Sequence, residues 1–175
     1  GGGDEAPIDT VTMNISSSTI GTSSVSGNIY GGGNLAEVNN DITLVVEENT
    51  NVNGNIYGGG NLGKVLGKID STIKDSNISK DIHGAGNKAS VGTAVTADTI
   101  SLKVNNVTAT SIYGGGNAAE TIGNTTTAVS KSSIENIYGG GNGAESIVSG
   151  DTTGEQNLAK VNGNTTTIVE DNTKV

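Results

Sequence analysis

Arginine, cysteine, tryptophan and phenylalanine are absent from the 175 residues, and proline, histidine and methionine occur once each. Without cysteine there is no disulfide framework, thiol nucleophile or thiolate metal site. Without arginine the chain lacks the bidentate reader of phosphate and guanine. Nine lysines against 18 acidic residues leave a net charge of −9 that repels polyanions, so nucleic-acid binding is not expected. No apolar run approaches the ~18 residues of a membrane span, so membrane insertion is not expected either, and no signal peptide is recognisable. With aromatics at 2%, a conventional core would be hard to fill. What the chain has instead is glycine (28 residues) and, at 22 each, asparagine and threonine.

These residues are arranged in a repeat. Ile-Tyr-Gly-Gly-Gly-Asn begins at Ile29, Ile56, Ile112 and Ile137, and the variant Ile-His-Gly-Ala-Gly-Asn begins at Ile82. The spacings are 27, 26, 30 and 25 residues. Each unit divides into three segments. A Thr-rich stretch with strand character comes first, as in Ile42-Thr43-Leu44-Val45-Val46 or Thr125-Thr126-Thr127-Ala128-Val129. The Ile-Tyr-Gly-Gly-Gly segment follows, and then a short piece such as Ala36-Glu37-Val38 or Ala144-Glu145-Ser146. Asn, Gly and Ser clusters mark the joints, and nothing shows helical period. Three short strands in about 26 residues predict one coil of a parallel β-solenoid, whereas a propeller blade needs roughly 40 residues and four strands. The expected fold is therefore all-β, a parallel solenoid of five to six coils with three strands per coil, right-handed by the default of parallel crossovers. Residues 1–175 are expected to form one domain cut from a longer array. Residues 1–7 are expected to be a tag or linker, with Gly1-Gly2-Gly3 either the tail of another motif or a cloning scar. Gly92 to Asp98 lengthens one coil, and 148–159 is an inserted polar loop.

Period-two alternation assigns the faces. Ile42, Leu44 and Val46, like Ile100, Leu102 and Val104, point inward. Ile29, Ile56, Ile82, Ile112 and Ile137 form an inward aliphatic ladder. Asn34, Asn61, Asn87, Asn117 and Asn142 close every copy of the motif and are read as a structural ladder. Their amides link successive coils, and asparagine tolerates left-handed backbone.

The Asn-Ile-Tyr-Gly-Gly-Gly-Asn units with Thr-rich strands between them resemble the repeats of large bacterial cell-surface proteins of the parallel β-helix adhesin type. The resemblance spans Ile8 to Val169. It implies an exported, non-catalytic stalk or binding module, extracellular on the bacterial surface, with surface glycans or host extracellular proteins as partners.

Directly after the inward Ile stand Tyr30, Tyr57, His83, Tyr113 and Tyr138, so every aromatic ring falls in one outward column spaced ~4.8 Å. Such a strip is either an aromatic ladder that supports stacked strands or a sugar-binding platform. A Thr-rich column (Thr12, Thr43, Thr72, Ser101, Thr126, Thr166) is flanked two residues earlier by Thr10, Asp41, Asp70, Thr99, Asn124 and Asn164, and the Asp and Asn that interrupt most rows disfavour an ice-binding lattice. Ca²⁺ needs six to eight converging oxygens, and Asp151 and Glu155 in the 148–159 loop are weak candidates; no other metal site or cofactor is expected. β-Helix lyases and glycosidases are the competing class, but arginine is absent and no paired carboxylates suit glycoside cleavage. His83 has no evident carboxylate partner, and the glycine triplets carry no phosphate-loop Lys-Ser/Thr. No catalytic residue is assigned.

Overall fold

The computed structural model describes residues 1–95, 97–143 and 159–175. The segment Ala144-Glu145-Ser146, Asp151, Glu155 and all of the expected loop except Ala159 lie outside the described residues. In chain order the strands are β1 (Val11–Ser16), β2 (Thr19–Ile20), β3 (Ile29–Tyr30), β4 (Ile42–Glu47), β5 (Asn51–Val52), β6 (Ile56–Tyr57) and β7 (Ile69–Ile78). They continue with β8 (Ile82–His83), β9 (Asp98–Tyr113), β10 (Thr121–Ile122), β11 (Asn124–Ser130), β12 (Ser133–Tyr138), β13 (Val161–Asn162) and β14 (Thr165–Glu170). No described residue is helical.

The described strand pairs are all parallel, and all but β10–β13 belong to one 12-stranded sheet. Its path β1-β4-β7-β9-β8-β6-β3 curls through 277°. The curl follows from β9, whose 16 residues run from the first ladder through the second into the third. The first ladder holds Val11, Ile42, Ile69, Ile100, Thr125 and Thr165 in register. The third aligns Ile29, Ile56, Ile82, Ile112 and Ile137. A last row of parallel bridges joins Ile8, Val38, Val65, Val91 and Thr121, and Thr121 pairs with Val161.

The structure adds a ladder to the three segments expected. Thr19–Ile20 pairs with Asn51–Val52, which pairs with Asn77–Ile78, and the row continues through Thr108 to Ser133. Its inward residues Val52, Ile78, Ala109 and Ile134 are buried. Each repeat therefore has four parallel contacts with its neighbours rather than three. One column also needs correction: Asp70, not Thr72, stands between Thr43 and Ser101, while Thr72 pairs with Val45. Gly1 to Asp4 lies beneath a glycine triplet in the same manner as the later copies do. Gly2 N donates to Gly32 O (3.0 Å) and Asn34 N to Gly3 O (3.1 Å). Between the Val65–Val91 bridge and the Ile69–Ile100 pair, four residues of chain correspond to nine, so the extra length after Gly92 sits at this corner.

The core is a narrow aliphatic column. Ile42, Leu44, Val46, Ile56, Ile69, Ile73, Ile82, Leu102 and Ile112 are all at most 1% exposed. β-Branched residues dominate because they fit a pleated, half-buried surface. Glycine completes the packing. A Cβ on Gly31, Gly58, Gly84 or Gly114, the first of each triplet, would fall on the carbonyl oxygen of the first glycine one repeat along. The second position is looser: a Cβ on Gly59 would lie 2.9 Å from Gly86 N, and the fully buried Ala85 already occupies the equivalent place. Gly58→Ala should therefore cost ~1–3 kcal/mol of overpacking, and Gly59→Ala clearly less. Urea unfolding midpoints of the two variants test this; equal midpoints would mean that close approach between repeats does not select the first glycine.

Candidate functional site

The third ladder sets the geometry of the aromatic column. Each copy turns its Ile inward and its aromatic ring outward, on the two-residue β3, β6 and β8 and at the ends of β9 and β12, and parallel pairing brings the rings into register (Tyr30, Tyr57, His83, Tyr113, Tyr138). Successive ring centroids are 5.0, 4.8, 4.9 and 5.0 Å apart, with interplanar angles between 5° and 11°. The rings stack on one another, so the inner faces are occupied by neighbouring rings and no continuous platform of free faces results. Tyr57 and His83 are 5% and 2% exposed, Tyr30 and Tyr113 are half-buried, and Tyr138 at the end of the stack is 47% exposed.

The residues preceding each Ile face outward with the rings: Asn28, Asn55, Asp81, Ser111 and Asn136. Asn28 donates to the Tyr30 hydroxyl (3.2 Å), and its Oδ1 accepts from Asn55 N (2.8 Å). Asn55 Oδ1 accepts in turn from Asp81 N (3.1 Å). Burial, followed by the Tyr30 and Asp81 charges, pushes the Tyr57 phenol up to about 12. Burial holds the imidazole of His83 down at about 4, and its Nδ1 has no hydrogen-bond partner. Asp81 shares the outward face with His83 but forms no hydrogen bond or ion pair with it among the described contacts. The ring is thus neutral at physiological pH, held between Tyr57 and Tyr113.

The five asparagines form a continuous chain of side-chain bonds. Nδ2 of Asn61, Asn87, Asn117 and Asn142 each donates to Oδ1 of the preceding member, at 2.8, 2.8, 2.9 and 2.9 Å. Asn34 donates to the Asp4 carboxylate at 2.9 Å, which ends the chain on a charge. None of these asparagines has positive φ. The left-handed non-glycine residues among those described are elsewhere, at the corner between the first and second ladders.

No protein-family model matches the chain, and no curated protein or solved structure is significantly similar to it.

That corner is the feature the sequence reading passed over. Ser17, Glu48, Asp75, Asn106, Lys131 and Asp171 all have φ between 48° and 57°, and each follows the aligned inward residue of its strand (Val11 to Thr165) by six positions. A polar residue at that fixed offset was the available signal. A hydroxyl one position later, or two where a second left-handed residue intervenes, bonds back to the strand end in most of these repeats. Ser18 donates to Ser16 O (2.7 Å), Thr50 to Glu47 O (2.6 Å), Ser76 to Lys74 O (2.8 Å) and Ser132 to Ser130 O (2.8 Å).

The His83 shift has a measurable consequence. Its folded pKa lies below the ~6.5 of an unfolded chain, so between about pH 6.5 and 4 the unfolded state binds a proton that the folded state does not. Stability should fall as pH drops through that window, by up to ~3 kcal/mol at its lower end, at ~1.4 kcal/mol per unit. His83→Tyr restores the majority residue of the column and should abolish this component while leaving the rest of the profile unchanged. Denaturant titrations of both proteins across the window decide the matter, and parallel curves would assign the acid sensitivity to other groups.

Proposed function

We propose that the chain is a non-catalytic structural or adhesive module of a bacterial surface protein: a rigid extracellular spacer built as a right-handed β-solenoid of about five to six coils. One observation carries the reading. The side chains best suited to chemistry or recognition are engaged with their own copies one repeat away, ring on ring and amide on amide. Such columns resist bending and shear between coils and leave the reacting groups of an enzyme without an arrangement to act from.

Pulling the chain from its ends should unravel it coil by coil, in contour steps of about 90 Å for repeats of 25–30 residues. Asn87→Ala removes the amide that donates to Asn61 and accepts from Asn117. At ~0.5–1.5 kcal/mol per bond it should lower the rupture force of the central coils. Rupture of the whole chain in one low-force step would refute the spacer reading.

Contact with surface glycans or host proteins through the aromatic column is the second reading, favoured by the exposed ring of Tyr138. With the inner faces occupied, such contact would fall on ring edges and hydroxyls. A glycan-array signal that disappears in folded Tyr113→Ala and Tyr138→Ala variants would support it, and an unchanged signal would remove the column from consideration.

A further inference from the structure

Asn49, Asp75, Asn106, Lys131 and Asn172 have φ of 59°, 48°, 54°, 51° and 57°, and all five line a single open cleft of about 350 Å³. Left-handed backbone is free of strain for glycine and tolerated by asparagine and aspartate, but it is strained for a long side chain such as that of Lys131. The chain has 28 glycines and places none at this corner in any repeat. Of these five only Lys131 stands where glycine or asparagine would relieve strain, and strain of this kind gathers at functional positions.

The cleft runs along the stack, from Asn49 in one repeat to Lys174 four repeats later, roughly 19 Å at ~4.8 Å per repeat. Its floor is sealed by the corner hydroxyls, which bond inward to the strand ends. The Asp75 carboxylate is held by the Asn106 amide at 2.7 Å. The Lys131 and Lys174 ammonium groups, by contrast, form no ion pair among the described residues, although lysines on the first ladder do (Lys74 with Glu47, Lys103 with Asp70). Both lysine backbones are pinned: Lys131 N donates to Asp171 O (3.1 Å) and Lys174 N to Ser132 O (2.8 Å). Two lysines without an ion pair among the described residues thus line one end of a cleft whose other polar groups are amides, hydroxyls and the Asp75 carboxylate. The size lies at the lower end of the range for small-ligand sites, and the lining is polar where drug-like ligands need apolar walls.

We propose that this corner cleft binds an anionic saccharide, with Lys131 and Lys174 on its carboxylate or sulfate and the asparagine amides on its hydroxyls. The net charge of −9 does not prevent this. At physiological ionic strength charges more than ~8 Å away are largely screened, so the two lysines act against the nearby Asp75 and Asp171 and not against the whole acidic surface. The inference does not rest on the spacer reading, since a passive spacer and a binding one would have the same fold and the same unravelling steps.

Isothermal titration with trigalacturonate, a chondroitin sulfate disaccharide and maltotriose, at low and raised salt, tests it. One or both acidic probes should bind, less tightly as salt rises, and maltotriose should bind more weakly; which acidic probe is preferred separates carboxylate from sulfate recognition. The K131Q/K174Q double variant should bind about tenfold more weakly, the scale of two exposed charge contacts, with an unchanged thermal melt. A K64Q/K68Q variant, equal in charge change but outside the cleft, should bind as the parent does. Equal losses in the two variants, equal affinity for the neutral sugar, or no binding of either acidic probe would overturn the proposal.

Discussion

The spacing between successive parallel strands, ~4.8 Å, governs the rest of the molecule. Gly31, Gly58, Gly84 and Gly114 each donate a backbone N–H to the aromatic residue one repeat on, in every case at 2.9 Å. Once those bonds set the distance between repeats, each column of side chains must accept its own copy at the same distance. Aromatic rings do, near their stacking distance. Primary amides do, because each has a donor and an acceptor to offer in opposite directions. Like charges do not. The outward row that begins at Glu37 accordingly continues with Lys64, Ser90 and Glu120 rather than repeating the acid. Glu47 similarly meets Lys74 from the next repeat at 2.8 Å. Within the ladders the acidic chain stacks by setting its carboxylates against lysines or uncharged residues, and at the corner Glu48 and Asp75 stand in one column where both are open to solvent.

The one break in the aromatic column shows the same constraint from the other side. His83 keeps the stacking distances of a tyrosine, and the backbone around it is unaltered. What it cannot keep is its proton. Rings above and below exclude water, and Nδ1 finds no acceptor or donor, so the imidazole stays neutral well below its ordinary range. Geometry is preserved at the expense of hydration, and the column becomes sensitive to acid at that single point.

Much of this was legible because six residues recur in nearly fixed phase. The inward Ile ladder, the inward faces of Ile42-Thr43-Leu44-Val45-Val46 and of the Ile100 strand, and the alignment of the asparagines all follow from that phase and from period-two alternation. Alternation gives the direction of a side chain but not its cover, so a column expected to offer flat ring faces places Tyr57 and His83 below 6% exposure. The second ladder was illegible because its strands, such as Thr19–Ile20 and Asn51–Val52, are too short to show any period. The left-handed corner was missed for a different reason. Glycine is the usual marker of positive φ, and here Ser17, Glu48, Asp75, Asn106, Lys131 and Asp171 take its place. Thr72 was misplaced by two residues because the Thr-rich pattern was matched by composition instead of being counted from Ile69.

Those corners also explain how a chain with so little apolar bulk holds its shape. Toward the C-terminal side the inward positions pass from Ile100 and Leu102 to Thr125 and Thr127, both buried, and the Thr127 hydroxyl has no partner. Ser71 likewise sits between Leu44 and Leu102 with its hydroxyl unpaired beside Gly58. A core that admits such substitutions contributes only part of the cohesion. The remainder comes from bonds between repeats and from corners locked by Ser18, Thr50, Ser76 and Ser132, which hold the strained residues against relaxing to a wider turn. Because each repeat is stabilised mainly by its two neighbours, a side chain placed at a corner is fixed in direction without needing a core beneath it. The outer rim of the corner is therefore the part of each repeat freest to vary in chemistry while the stacking below it stays the same.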